Sequence, residues 1–104
     1  IELLNADGEL NITDNFLTGN GGKGIEISTS TAALDNEITI TDNTILGQPE
    51  EGLELTTNGE SVNRLVIEEN LIRVSLGPTD TRNVPLIELT TNDSSRLAAR
   101  IEDN

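Results

Sequence analysis

The chain contains no cysteine, histidine, methionine, tryptophan or tyrosine, and Phe16 is its one aromatic residue. Without cysteine there are no disulfides, zinc–thiolate sites or thiol nucleophiles, and the compartment stays undecided. Without histidine, the side chain most used as a general base near neutral pH is missing. Basic residues are scarce too. Six Lys and Arg stand against 19 Asp and Glu, giving a net charge of −13 and a pI near 4.1. Such a chain lacks the basic footprint that phosphate binding needs, so nucleic acid is a poor partner. No apolar run approaches the length of about 18 residues that reads as a membrane-spanning helix. The chain opens on Ile1 without a basic, apolar leader, which reads as a processed or excised piece of something longer.

Strong acidity often accompanies disorder, but this sequence keeps a regular alternation that disordered chains seldom show. Its basis is a repeated phrase. Ile38-Thr39-Ile40-Thr41-Asp42-Asn43-Thr44-Ile45 has counterparts at Leu10 to Leu17, at Leu65 to Ile72 and at Ala99 to Asn104. Each copy closes an alternating strand on an acid followed by Asn. Asn enters the left-handed backbone region at little cost, so Asn15, Asn43, Asn70 and Asn104 are expected to make sharp bends between strands.

A second phrase lies between the copies of the first: Ile25-Glu26-Ile27, Leu53-Glu54-Leu55 and Ile87-Glu88-Leu89, with Ile1-Glu2-Leu3 as a candidate fourth. The bend asparagines are separated by 28, 27 and 34 residues. A period of this size built from short strands signals a solenoid. One period holds three strands, for example Leu53 to Thr56, Leu65 to Ile67 and Leu71 to Val74. Three strands per coil, stacked in parallel, predict an all-β fold, a parallel β-helix of about three and a half coils forming a single domain over residues 1–104. The 34% hydrophobic content, nearly all aliphatic, suits a narrow interior in which each coil presents like residues to the next at roughly 4.8 Å.

In chain order, residues 1–7 read as the remnant of a first coil ending at Gly8. Corners are expected at Asn20-Gly21-Gly22-Lys23-Gly24, at Gly47 to Gly52 and at Asn58-Gly59. Thr31 to Asn36 reads as a loop whose Ala-Ala-Leu forms a short helical turn. Between Asn70 and Glu88 the chain is seven residues longer than in the two preceding periods, which places an inserted loop over Gly77 to Pro85. Such insertions emerge on one face of a solenoid, as tolerated excursions or as binding loops.

The order strand, acid-Asn bend, strand, longer loop, strand resembles the right-handed parallel β-helix of the pectate-lyase-like superfold, in which an asparagine ladder lines the corresponding turn. The resemblance implies right-handed coiling, a ladder formed by Asn15, Asn43, Asn70 and Asn104, and an extracellular or cell-surface setting like that of adhesin passenger domains and tailspikes. The superfold also hosts lyases, polygalacturonases and esterases, so fold alone does not choose a function. Their paired-Asp, Gly-His-Gly and Asp-His signatures are absent here, which argues for a non-enzymatic member.

Two groups of residues have the pattern of a site. Glu26, Glu54 and Glu88 are expected to stack one coil apart on an outer face, with Asp14, Asp42, Glu69 and Asp103 as a second acidic row. Like charges directly opposite each other are destabilising. Screening by water and salt relieves them, or a hard cation such as Ca²⁺ does. No compact calcium-loop spacing is present. The second group is Arg82 in the inserted loop, with Arg73, Arg96 and Arg100 nearby in sequence. Each Arg is expected to pair with a neighbouring acid; an enzymatic reading would make Glu54 or Glu88 an acid and Arg82 a clamp on an acidic polysaccharide. Thr41, Thr56, Thr57, Thr90 and Thr91 suit strands, and a sugar-binding or ice-binding plane is the rarer use of such rows.

The sequence thus points to a structural or adhesive β-helix module that needs no cofactor. Its expected partners are further coils of the same protein, or identical subunits stacked along the axis to cover both end coils. The competing reading is a domain that binds or cleaves polysaccharide.

Overall fold

The computed structural model describes residues 1–19, 21–31, 35–75 and 84–104. The described chain is all β, with no helix among the described residues. The strands are β1 (Glu2–Ala6), β2 (Glu9–Thr13), β3 (Phe16–Thr18), β4 (Ile25–Thr29), β5 (Asp35–Thr41), β6 (Thr44–Gln48), β7 (Leu53–Thr57), β8 (Val62–Glu68), β9 (Leu71–Val74), β10 (Ile87–Thr91) and β11 (Arg96–Glu102). They form three sheets, ordered β1-β4-β7-β10, β2-β5-β8-β11 and β3-β6-β9. Every adjacent pair is parallel. The chain therefore visits the three sheets in fixed order and then begins again one strand higher, an arrangement compatible with a parallel β-helix of three strands per coil.

Register follows from which residues must avoid water. Successive side chains on a strand point to opposite faces, so parallel pairing of equivalent positions turns each alternate residue into one link of an interior row. Leu10, Ile38, Leu65 and Ala99 form one row, and Ile12, Ile40, Ile67 and Ile101 a second. Leu3, Ile27, Leu55 and Leu89 form a third in the first sheet, and Leu17, Ile45 and Ile72 a fourth in the third sheet. The buried hydrophobic side chains are all Ile or Leu. Each removes roughly 1.5–3 kcal/mol worth of apolar surface from water when fully covered. Position along the row decides how completely: Ile40 and Ile67 are fully buried, whereas Ile101 in the last coil is 45% exposed.

The corner between the third and first sheets is set by glycine. A Cβ on Gly52 would lie 2.1 Å from Ile72 Cγ2 and 3.0 Å from the Leu86 carbonyl oxygen. One on Gly24 would lie 2.4 Å from Ile45 Cγ2 and 2.5 Å from the Gly52 carbonyl oxygen. The two backbones pass directly under the branched side chain of the coil above, and no larger residue fits.

Two local expectations need correction. The left-handed residue at each bend is the acid and not the asparagine: Asp14, Asp42, Glu69 and Asp103 have φ of 57°, 58°, 55° and 53°. The sharp turn at the acid frees the next residue to aim its amide inward. Asp35 and Asn36, read as loop, belong to β5, because β5 must match all seven positions of β8. The Ala-Ala-Leu turn, Asn20, Arg82 and most of the inserted loop lie outside the described residues. Beyond that loop Leu86 accepts a hydrogen bond from Leu53 N–H at 3.0 Å, and β10 pairs with β7 in continuous register.

Gly52→Ala is expected to destabilise the fold by about 1–3 kcal/mol through overpacking. Gly21→Ala, whose added methyl group meets no atom within 4 Å, leaves the denaturation midpoint nearly unchanged. Combining Gly52→Ala with Ile72→Ala, which removes the clashing Cγ2, should cost less than the sum of the two single substitutions. Equal effects of the two glycine substitutions would refute the steric account of the corner.

Candidate functional site

The side chains with chemistry fall into an inward polar set and an outward charged set. At the inward bend, Asn43 is almost fully buried. Its Nδ2 donates to Ile12 O, Thr41 O and Asn70 Oδ1, each at 2.9 Å, and its backbone N–H donates to Asn70 Oδ1 at 3.0 Å. Its own Oδ1 accepts from Asn15 N–H at 3.1 Å and from Asn15 Nδ2 at 2.9 Å. Asn70 repeats this geometry one coil later, with Asn104 Oδ1 as acceptor at 3.1 Å and 2.8 Å. Asn15, Asn43, Asn70 and Asn104 are thus joined in one asparagine ladder, and the amides of Asn43, Asn70 and Asn104 each pair backbone groups of two coils. An amide suits this place because one planar group supplies two donors and an acceptor.

Two further polar rows escaped the sequence reading. Asn36 and Asn63, nearly fully buried, are linked by Asn36 Nδ2 donating to Asn63 Oδ1 at 2.8 Å, while Gly8 N–H donates to Asn36 Oδ1 at 2.8 Å. Across the corner between the first and second sheets, Asn92 Nδ2 donates to Asn58 Oδ1 and Asn58 Nδ2 to Ser28 Oγ, both at 3.0 Å. Hydroxyls fill that corner: Thr29 faces Ser61 at 3.3 Å and Thr57 faces Ser95 at 2.9 Å. The signal was the spacing, since Asn36 to Asn63 is 27 residues and Asn58 to Asn92 is 34, the same separations as in the first ladder. Thr57 is consequently interior, while Thr56 and Thr90 pair on the outer side of the first sheet. Gln48 is the exception: fully buried, its Oε1 finds no partner among the described residues.

On the outer side of the first sheet, Glu2, Glu26, Glu54 and Glu88 occupy successive register positions. Their repulsion is partly relieved by a residue that the sequence reading left unassigned. Lys23 Nζ lies 2.9 Å from Glu26 Oε1 and 2.5 Å from Glu54 Oε2, so one ammonium spans two coils. Hydrogen bonds to Glu54 and then Glu26 raise the Lys23 pKa well above its ordinary value. Among the described residues no three acidic side chains are grouped so as to hold a metal ion. The second acidic row, Asp14, Asp42, Glu69 and Asp103, follows the bends.

The arginines divide. Arg100 pairs with Glu68 on the neighbouring strand and, at 3.4 Å, with Glu102. Arg73 and Arg96 take no ion pair among the described residues, contrary to the expectation that each would find an acid, and Arg64 takes none there either. Arg82, the proposed clamp, lies outside the described residues. The described residues enclose no pocket. Comparisons with known protein families, with curated proteins and with solved structures found no match.

Asn43→Leu removes the amide that bonds the Ile12 and Thr41 carbonyls and the Asn15 N–H, and a loss of about 1–3 kcal/mol is expected. An unchanged denaturation midpoint would contradict the role of the ladder. Lys23→Met should cost about 1 kcal/mol at neutral pH, a modest figure because water screens this half-buried pair. Glu54→Gln added to it should restore part of that. Because the folded-state pKa of Lys23 is raised, its contribution is fully present below the ordinary lysine value near 10.4 and lost as pH rises through the folded value. Wild type and Lys23→Met should therefore converge in stability in strongly alkaline solution. A constant difference across that range would show that Lys23 acts through packing.

Proposed function

We propose that the protein is a structural or adhesive module of an extracellular or cell-surface protein, stacking end to end with further coils of its own chain or of identical subunits. The observation that carries this reading is the destination of the inward side chains. Aliphatic rows and amide ladders alike are completed by the same position in the coil above or below. A fold organised in this way gains stability from each added coil. The order of strand, acid-Asn bend, strand and loop favours a right-handed parallel β-helix resembling the pectate-lyase-like superfold, and residues 1–104 act as one segment of a longer solenoid or fibre. The exposed Ile101, which continues the fully buried row of Ile40 and Ile67, is the kind of surface such a neighbour would cover.

Sedimentation at several protein concentrations tests the axial association, and the expected result is a mass that grows with concentration. A strictly monomeric species whose β1 and β11 amides resist hydrogen exchange as well as those of β5 and β8 would overturn it. In parallel, a panel of acidic polysaccharides is expected to remain uncut; bond cleavage would replace the structural reading with an enzymatic one.

A further inference from the structure

We propose that the outer face of the third sheet docks a protein segment that presents apolar residues flanked by lysine or arginine. The inner side of this sheet is accounted for by Leu17, Ile45 and Ile72. Alternation then turns Phe16, Thr18, Thr44, Leu46, Leu71 and Arg73 outward, with Phe16, Thr44 and Leu71 in one register column and Thr18, Leu46 and Arg73 in the other. Phe16 is 68% exposed and Leu71 46%. The single aromatic side chain of the molecule, the residue best able to fill a core, thus faces solvent.

Charge separates this face from the others. The first sheet carries Glu2, Glu26, Glu54 and Glu88 on its outer side, and the second carries Glu9, Asp35, Glu37, Glu68 and Glu102 beside Arg64, Arg96 and Arg100. Among the described residues no acid stands on the outer side of the third sheet, and Arg73 is its one charge. The acids lie instead along its borders. Asp14, Asp42 and Glu69 occupy the bends leading into β3, β6 and β9, one coil apart, and each is fixed in the left-handed conformation. Glu50 and Glu51 follow β6 in the opposite corner. Exposed apolar surface rimmed by polar groups marks an interaction site.

The rim selects the occupant. A second copy meeting this face with its own would bring its Asp14, Asp42 and Glu69 rim against the same acids. A partner with basic residues beside an apolar centre places its cations on the Asp14, Asp42 and Glu69 row, spaced roughly 4.8 Å per coil, and its apolar side chains on Phe16, Leu46 and Leu71. Complementarity of this kind fixes register and speeds encounter, while the desolvated centre holds the complex.

The test uses a labelled synthetic peptide with a Leu-Phe-Leu centre between two lysine pairs, followed by fluorescence anisotropy at low and near-physiological salt. A matched peptide with serines at the centre serves as control. The apolar peptide is expected to bind, and Phe16→Ser with Leu71→Ser to weaken it at least about tenfold, the loss of one anchoring contact. Asp42→Asn with Glu69→Asn preserves the bend, because Asn tolerates positive φ, and should flatten the salt dependence. Failure of the peptide to bind, equal binding of the serine peptide, or indifference to either double substitution would overturn the proposal. So would self-association of the wild type that Phe16→Ser with Leu71→Ser abolishes, since it would assign the face to a second copy.

Discussion

Every coil of this molecule must turn three corners without leaving a buried amide or carbonyl unpaired, and the asparagine side chain at the second-to-third-sheet corner meets that demand. A strand that ends inside a stack strands its last backbone groups in an apolar interior, where each unmet hydrogen bond costs about 1–3 kcal/mol. Asn43 and Asn70 reach the carbonyls of Ile12 and Ile40 in the coil below and donate to the amide oxygen of the coil above. Parallel register and ladder therefore stabilise each other. A slip of one residue would turn the aliphatic rows outward and remove the amides from their partners at the same time.

The same economy of space explains the composition. Interior rows take one side chain per coil, and Ile and Leu fill their buried positions. Glycine appears where the chain passes beneath a branched side chain, at Gly24 and Gly52. Acids are pushed to the outer faces and bends, where water screens them, and Lys23 sits between two that stack in register. Its worth lies in bridging coils.

The repeat was legible because it is enforced at every coil. Apolar alternation, the acid-Asn pair and the 27- to 28-residue spacing report constraints that recur. What stayed hidden was singular or depended on direction. The bend residue was misassigned because Asp and Asn both tolerate positive φ, and only the inward aim of the amide decides between them. Lys23 stands in a glycine corner with no counterpart in other coils, so no periodicity announced it. The Asn36 and Asn63 pair was obscured because Asn36 follows an acid within what read as a loop, although its 27-residue spacing carried the information. The arginines show the limit of charge counting: Arg100 found Glu68 across a strand pair, while Arg73 and Arg96 did not follow among the described residues.

The in-register rows also dictate how such a chain changes length. Removing or adding a few residues inside a strand breaks every row that crosses it, but deleting a whole period of 27 or 28 residues joins equivalent positions and leaves all rows continuous. Corners are the other permitted place. The longer connection between β9 and β10 precedes a strand that still pairs with β7 residue for residue from Ile87 to Thr91. Evolutionary lengthening and shortening of this architecture is accordingly quantised: it proceeds by entire turns of the coil or by growth outward at a corner, and reach along the axis varies independently of the cross-section.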